Sequence, residues 1–157
     1  MDEAIKNKIL GLLDQHRDMT IATLRPDGWP QATTVGFASE GLTLYFLCGL
    51  DSQKAANLAR DDRVSLTIDH DTPEVMEITG LSMAARARPL SDRAEKEKVL
   101  RLLMAKYPAQ AQLTSPMPAP DQVAVFQVTP TVISVLDYSQ GFGHTDLVSC
   151  DSDQPAA

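Results

Sequence analysis

The chain has 157 residues, 43% of them hydrophobic, and a formal net charge of -7. That length and apolar content suit one domain with a single core. The acidic balance, with a sequence pI of about 4.8, argues against nucleic acid and anionic membrane surfaces as partners, because both need clustered Lys and Arg.

Residues 2–16 read as an amphipathic helix. Ile5, Ile9, Leu12 and His16 recur at i, i+4, i+7 and i+11, and Leu13 widens the face. His16 reads as a helix-end residue, where a polar or cationic group suits the dipole. Residues 19–24 (MTIATL) follow as a strand. Arg25-Pro26-Asp27-Gly28-Trp29-Pro30 is a strong turn signal, since Pro presets φ and Asp-Gly supplies a tight reversal. Residues 31–38 (QATTVGFA) return as a second strand. Ser39-Glu40-Gly41 turns into a third at 42–48 (LTLYFLC), so 19–48 form a meander of three antiparallel strands.

Asp51-Ser52-Gln53-Lys54 lies between that third strand and a short helix over 55–60. A strand, a polar turn and a helix start with a hydroxyl beside a Lys make a phosphate cradle. Helix N-termini carry unpaired N–H groups and a partial positive charge. Ser52 adds a hydroxyl donor and Lys54 a full charge. A Lys at this end opposes the helix dipole, and a nearby anion offsets that cost. Ser52 is also a favoured N-cap, and the two roles are compatible.

Residues 64–68 (VSLTI) read as a strand. Asp69-His70-Asp71 resembles a metal triplet. Consecutive side chains point different ways, so it reads as a solvated turn instead. Residues 75–78 and 81–88 read as one long strand with Gly80 inside it, a place for a bulge or a close backbone approach. A helix follows over about 92–106, opened by Asp92 with Glu95 three residues on, an acidic form of the capping box. Residues 107–121 are rich in Pro and Ala and read as a long loop or lid. Two strands, 123–128 and 131–136, flank Thr129-Pro130. Residues 138–144 form a Gly-interrupted loop, and the polar tail 150–157 reads as disordered.

Cys48 and Cys150 are far apart and no Cys-x-x-Cys or Cys/His cluster occurs, so the sequence predicts no metal site and reduced thiols. The first residues lack an apolar h-region and no apolar run is long enough to span a bilayer. A cytoplasmic protein is expected. Six to seven short antiparallel strands with turn signals between them predict a mainly β domain over 1–149, a closed or nearly closed barrel with flanking helices.

The order of these elements resembles the pyridoxamine 5'-phosphate oxidase-like, FMN-binding split barrels. The residues that carry the resemblance are the N-terminal helix, 21–30 (IATLRPDGWP), 31–35 (QATTV), 52–58 (SQKAANL), 63–66 (RVSL), the Gly80 strand and Thr129-Pro130-Thr131. They span about residues 3–149, and each is short while the shared order is specific. The resemblance implies a homodimer of split barrels with FMN in grooves at the subunit interface. It implies phosphate contacts from Ser52, Gln53 and Lys54. It places the flavin edge along Thr33, Thr34, Val35 and Gly36, where backbone groups bond the ring, with Leu47 and Cys48 lining the pocket. Tyr138 is a further pocket candidate. His144, in a Gly-rich loop and of the type that titrates near neutral pH, is a candidate acid or base.

The chain departs from the true oxidases of that name. It has no Lys or Arg within 32–37, and its C-terminal part has no Trp and no Arg after Arg101. Pyridoxamine phosphate is therefore not the expected substrate. The leading expectation is an FMN-dependent oxidoreductase of a small molecule. The alternatives are a flavin-binding or stress-response protein without turnover, a deazaflavin protein with the same groove, and a haem-binding split barrel with His16, His70 or His144 as axial ligand.

Overall fold

The computed structural model describes residues 1–108 and 117–150. The predicted lid therefore lies partly, and the predicted tail almost wholly, outside the described residues. Three helices occur among those described: α1 (Glu3–Gln15), α2 (Gln53–Arg60) and α3 (Arg93–Lys106). Each starts on a side-chain cap. Asp2 accepts from Ala4 N, Ser52 from Ala55 N and Asp92 from Glu95 N, so each satisfies a backbone donor that the helix leaves unpaired.

The strands are β1 (Asp18–Leu24), β2 (Pro30–Gly36), β3 (Ala38–Glu40), β4 (Thr43–Gly49), β5 (Arg63–Asp69), β6 (Thr79–Pro89), β7 (Val123–Asp137) and β8 (Thr145–Ser149). All pairings are antiparallel, in the order β2-β1-β5-β6-β7-β4-β3, with β8 added beside β7. The two end strands, β2 and β3, are consecutive in the chain and joined through Phe37 alone. The sheet therefore curls until its ends meet at one residue. Phe37 is fully buried; its N–H donates to the Arg17 carbonyl at 3.0 Å and the Lys106 amine lies 3.8 Å over its ring. Burial pushes the Lys106 amine down to about 8.

Inward residues alternate along the strands, as in β5, where Val64, Leu66 and Ile68 are buried and their neighbours exposed. They meet Ile9, Leu12 and Leu13 of α1, Leu58 of α2, and Phe46, Phe126 and Ile133 in one core. Each fully buried Leu, Ile or Phe contributes about 1.5–3 kcal/mol. A second, smaller core lies outside the sheet, where Val99 and Leu103 of α3 cover Tyr45, Val123 and Val125.

Several elements differ from the sequence reading. The predicted strand 31–38 breaks at the Phe37 corner. Residues 75–77 form a 3-10 turn, closed by Ile78 N to Val75 O, because β5 ends at Asp69 opposite Gly80 and leaves them no strand to pair with. The two strands flanking Thr129-Pro130 are one 15-residue strand, β7. A bulge puts Thr131 out of register, and its hydroxyl donates to the Ala84 carbonyl, so the missing Pro130 donor falls at an irregularity. β8 is additional to the reading. No helix among the described residues is long and apolar enough to cross a membrane, and the cysteines form no disulfide.

The end of β7 is fixed by an ionic cluster. The buried Asp137 carboxylate pairs with the Lys8 amine and accepts from Ser139 Oγ at 2.5 Å and Gln140 Nε2 at 2.9 Å. The Lys8 bond first, then those from Ser139 and Gln140, hold the carboxyl well below the usual carboxylate range. A depressed folded pKa gives stability that is present above the unfolded value, near 3.9, and lost as pH falls toward the folded one. Asp137→Asn is therefore expected to flatten the acid limb of a urea-midpoint-against-pH curve below about pH 4. Lys8 is partly exposed, so Lys8→Met should cost only about 1–2 kcal/mol at neutral pH.

Candidate functional site

The site is built around β2. This strand pairs with β1 on one side and ends the sheet on the other, lying against β4 without pairing to it. An unpaired strand edge presents backbone donors and acceptors ready for a partner. Across β2 the side chains alternate. Gln31, Thr33 and Val35 stand opposite Thr23, Ile21 and Met19 and share their inward face, while Ala32 and Thr34 are exposed. The Thr33 hydroxyl is buried and has no partner among the described residues, the kind of polar atom that an ordered water or a ligand group satisfies.

Each end of β2 opens on a cavity. At the Pro30 end a cleft of about 440 Å³ is lined by Arg25, Pro26, Asp27, Gln31 and Gln53. Its wall is the reversal at 25–29, closed by Gly28 N to Arg25 O with Gly28 at φ +84°, and ordered by Asp27 accepting from Trp29 N and Arg25. At the Gly36 end a mainly apolar cavity of about 160 Å³ is lined by Gly36, Leu47, Leu103, Tyr107 and Met117. The two mouths are separated by the length of β2, roughly 20 Å at the rise of an extended strand.

The phosphate-type turn is tied to this strand. Fully buried Asn57 of α2 donates to Thr23 Oγ1 at 3.0 Å and to Gln31 Oε1 at 3.4 Å, and accepts from Gln53 Nε2 at 2.8 Å. This relay sets the start of α2 against β1 and β2. Asn57→Ala is expected to leave Thr23 and Gln53 short of partners and to cost about 1–3 kcal/mol, read from a denaturant midpoint. Ser52 Oγ accepts from Ala55 N at 3.1 Å, which leaves its own O–H free to donate outward. Lys54 is half-buried and has no ion pair or hydrogen bond among the described residues.

The structure therefore brings Gln53 beside Gln31 at one end of β2, and Leu47 beside Gly36 at the other. Cys48 faces the opposite way from Leu47, into the barrel core, so only its backbone faces the groove side. Tyr138 and His144 line neither of these two cavities. β4 ends at Gly49 opposite Val123, the first residue of β7, whereas Tyr138 and His144 follow Asp137, its last. There Tyr138 packs edge-on against Phe142, and His144 Nε2 lies 3.1 Å from the Asp146 carboxylate.

Tyr107 was not singled out by sequence reasoning. Its ring covers Gly36, where a Cβ would lie 2.8 Å from the hydroxyl. The hydroxyl sits between the Arg17 carbonyl and the Asp18 carboxylate, 2.6 Å from the latter, and burial pushes its pKa up. The Asn57 relay was also missed. A polar residue three positions after Lys54 in an apolar helix face was the signal available.

The family model for pyridoxamine 5'-phosphate oxidase matches residues 5–137. The chain belongs to that family. General stress protein 26 of Bacillus subtilis is 26% identical over 101 residues, which cover 62% of this chain and 71% of that protein. Among solved structures, a conserved hypothetical protein from Mycobacterium tuberculosis superposes with a TM-score of 0.74 at 22% identity, covering 96% of this chain and 94% of the other. The haem storage protein HutZ from Vibrio cholerae gives 0.62 at 16% identity, covering 80% and 89%. At these identities the structural likeness establishes the split-barrel fold.

The residues around β2 offer the kinds of groups that a flavin-type cofactor requires. The free strand edge offers backbone donors and acceptors at 33–36, and the hydroxyl of Ser52 and the amine of Lys54 suit a phosphate.

Proposed function

We propose that the chain is an FMN-binding oxidoreductase acting on a small molecule, working as a homodimer. The observation that carries this reading is the free edge of β2, with the Ser52-Gln53-Lys54 turn bound to it through Asn57. Ser52, Gln53 and Lys54 hold the phosphate, and the backbone of Thr33, Thr34, Val35 and Gly36 bonds the ring edge. Leu47 and Tyr107 keep the Gly36 end apolar and exclude water. Bound FMN supplies hydride and electron transfer, so the protein needs to orient and shield rather than provide a catalytic triad. Tyr138 and His144 join the same site only if a second copy presents them across the open side of β2, which is why the reading includes a dimer.

Absence of Lys and Arg from 32–37 leaves no cation on the strand for a substrate phosphate, and Arg25, the cation lining the cleft beside Gln53, is already paired with Asp27. The substrate is accordingly read as unphosphorylated. The test is oxidation of a reduced nicotinamide by FMN-loaded protein with a quinone or nitroaromatic acceptor. Turnover that scales with bound FMN supports the oxidoreductase. A stoichiometric flavin complex with no turnover toward any acceptor moves the reading to a flavin-binding protein.

Haem is the second reading, favoured by the likeness to the Vibrio haem storage protein. Of the histidines, His144 has its Nε2 on the Asp146 carboxylate, while His16 and His70 face each other at the surface. A Soret band on haem addition that survives desalting, together with failure to retain FMN, would favour haem.

A further inference from the structure

His16 and His70 are 54 residues apart in sequence and meet at the surface, outside the β2 groove's lining. His16 caps the end of α1, anchored by the buried Leu12 and Leu13. His70 follows β5, anchored by the buried Ile68. His16 Nδ1 lies 2.8 Å from the Leu12 carbonyl. A carbonyl only accepts, so Nδ1 carries the proton and Nε2 presents its lone pair. That lone pair faces His70 Nδ1 at 3.3 Å, with ring centroids 5.5 Å apart.

We propose that His16 Nε2 and His70 Nδ1 form a binding site for a borderline divalent ion such as Zn²⁺ or Cu²⁺. Two imidazole nitrogens at about 2.0–2.1 Å from a tetrahedral ion stand about 3.3–3.4 Å apart, and these two already have that spacing. The Leu12 carbonyl behind His16 is the kind of outer partner that fixes the tautomer and ring orientation of a metal-bound histidine. His70 is exposed, and its Nε2 has no partner among the described residues. It can carry the ring proton there and free Nδ1 for the ion. Asp69 and Asp71 flank His70 in a chain of net charge -7, a field that favours a cation. An all-imidazole pair selects Zn²⁺, Cu²⁺ or Ni²⁺ over Mg²⁺ and Ca²⁺. No group of three or more His, Cys, Asp or Glu among the described residues could hold an ion, so water completes the shell. The bound ion would tie the end of α1 to the end of β5.

The test is calorimetric titration of untagged protein with Zn²⁺ and, separately, Mg²⁺. The expected result is one Zn²⁺ per chain and no Mg²⁺ binding. His16→Gln and His70→Gln should each weaken Zn²⁺ at least tenfold, while His144→Gln, which lies outside the pair, should leave it unchanged. Circular dichroism matching the wild type shows that each variant is folded. No Zn²⁺ binding by the wild type, or wild-type Zn²⁺ affinity in His16→Gln and His70→Gln, would overturn the proposal.

Discussion

Lys54→Ala is expected to weaken FMN binding by about 1.5–3 kcal/mol, roughly 10- to 150-fold in Kd. Lys54 sits in the first turn of α2, where its charge opposes the partial positive charge of the helix end. It has no partner among the described residues to offset that. A phosphate monoester would supply one, and Ser52 adds a second donor while still capping the helix. The loss should be specific to the phosphate. Flavin fluorescence titration of the wild type should show FMN bound more tightly than riboflavin. In Lys54→Ala that preference should shrink while riboflavin affinity stays the same. Lys54→Arg should retain part of it, since charge is kept but reach and geometry change. Unchanged FMN affinity in Lys54→Ala would remove the phosphate assignment.

The second large effect is on stability. Gly80 stands in β6 opposite Asp69, and a Cβ there would lie 2.7 Å from the Ile68 carbonyl oxygen and 3.1 Å from Asp69 Cβ. Both obstacles belong to a paired strand rather than to the tip of a flexible side chain. Relief requires β5 to move off β6, and Ile68 and Leu81 on these strands are fully buried. Gly80→Ala should therefore cost about 2–3 kcal/mol, seen as a lowered urea midpoint with little change in slope. Gly11 is the internal control. It lies within α1 with nothing within 4 Å of its would-be Cβ, so Gly11→Ala should stabilise by about 0.5–1 kcal/mol. A Gly80→Ala midpoint equal to wild type would contradict the close approach of β5 to β6 at this position.

The parts of the fold legible in the sequence are those written in local signals. Ser52 and Asp92 mark helix starts, the Arg25–Trp29 reversal marks the first hairpin, and the close approach at Gly80 follows from a glycine inside a β-rich run. The parts that were not legible depend on residues far apart in the chain. Phe37 looks like one more strand residue until the sheet's two ends are seen to meet there. β8 has little apolar signal, because Leu147 points to solvent and only Val148 reaches the core. Residues 75–77 carry the apolar residues of a strand but have no neighbour to pair with. The candidate site shows the same division. Ser52, Gln53 and Lys54 are a local pattern, whereas the Asn57 relay, the Tyr107 cover over Gly36 and the His16–His70 pair join residues tens of positions apart. The placement of Tyr138 and His144 at the far end of β7 could not be read from their sequence, only from the length and pairing of that strand.

The most direct test of the central claim is the absorption spectrum of the purified protein after FMN addition and desalting. The account predicts retained bands of oxidised flavin at close to one FMN per chain, with a shifted ring spectrum from an apolar, hydrogen-bonded setting. A protein that comes through desalting colourless, with unperturbed FMN in the small-molecule fraction, would contradict it.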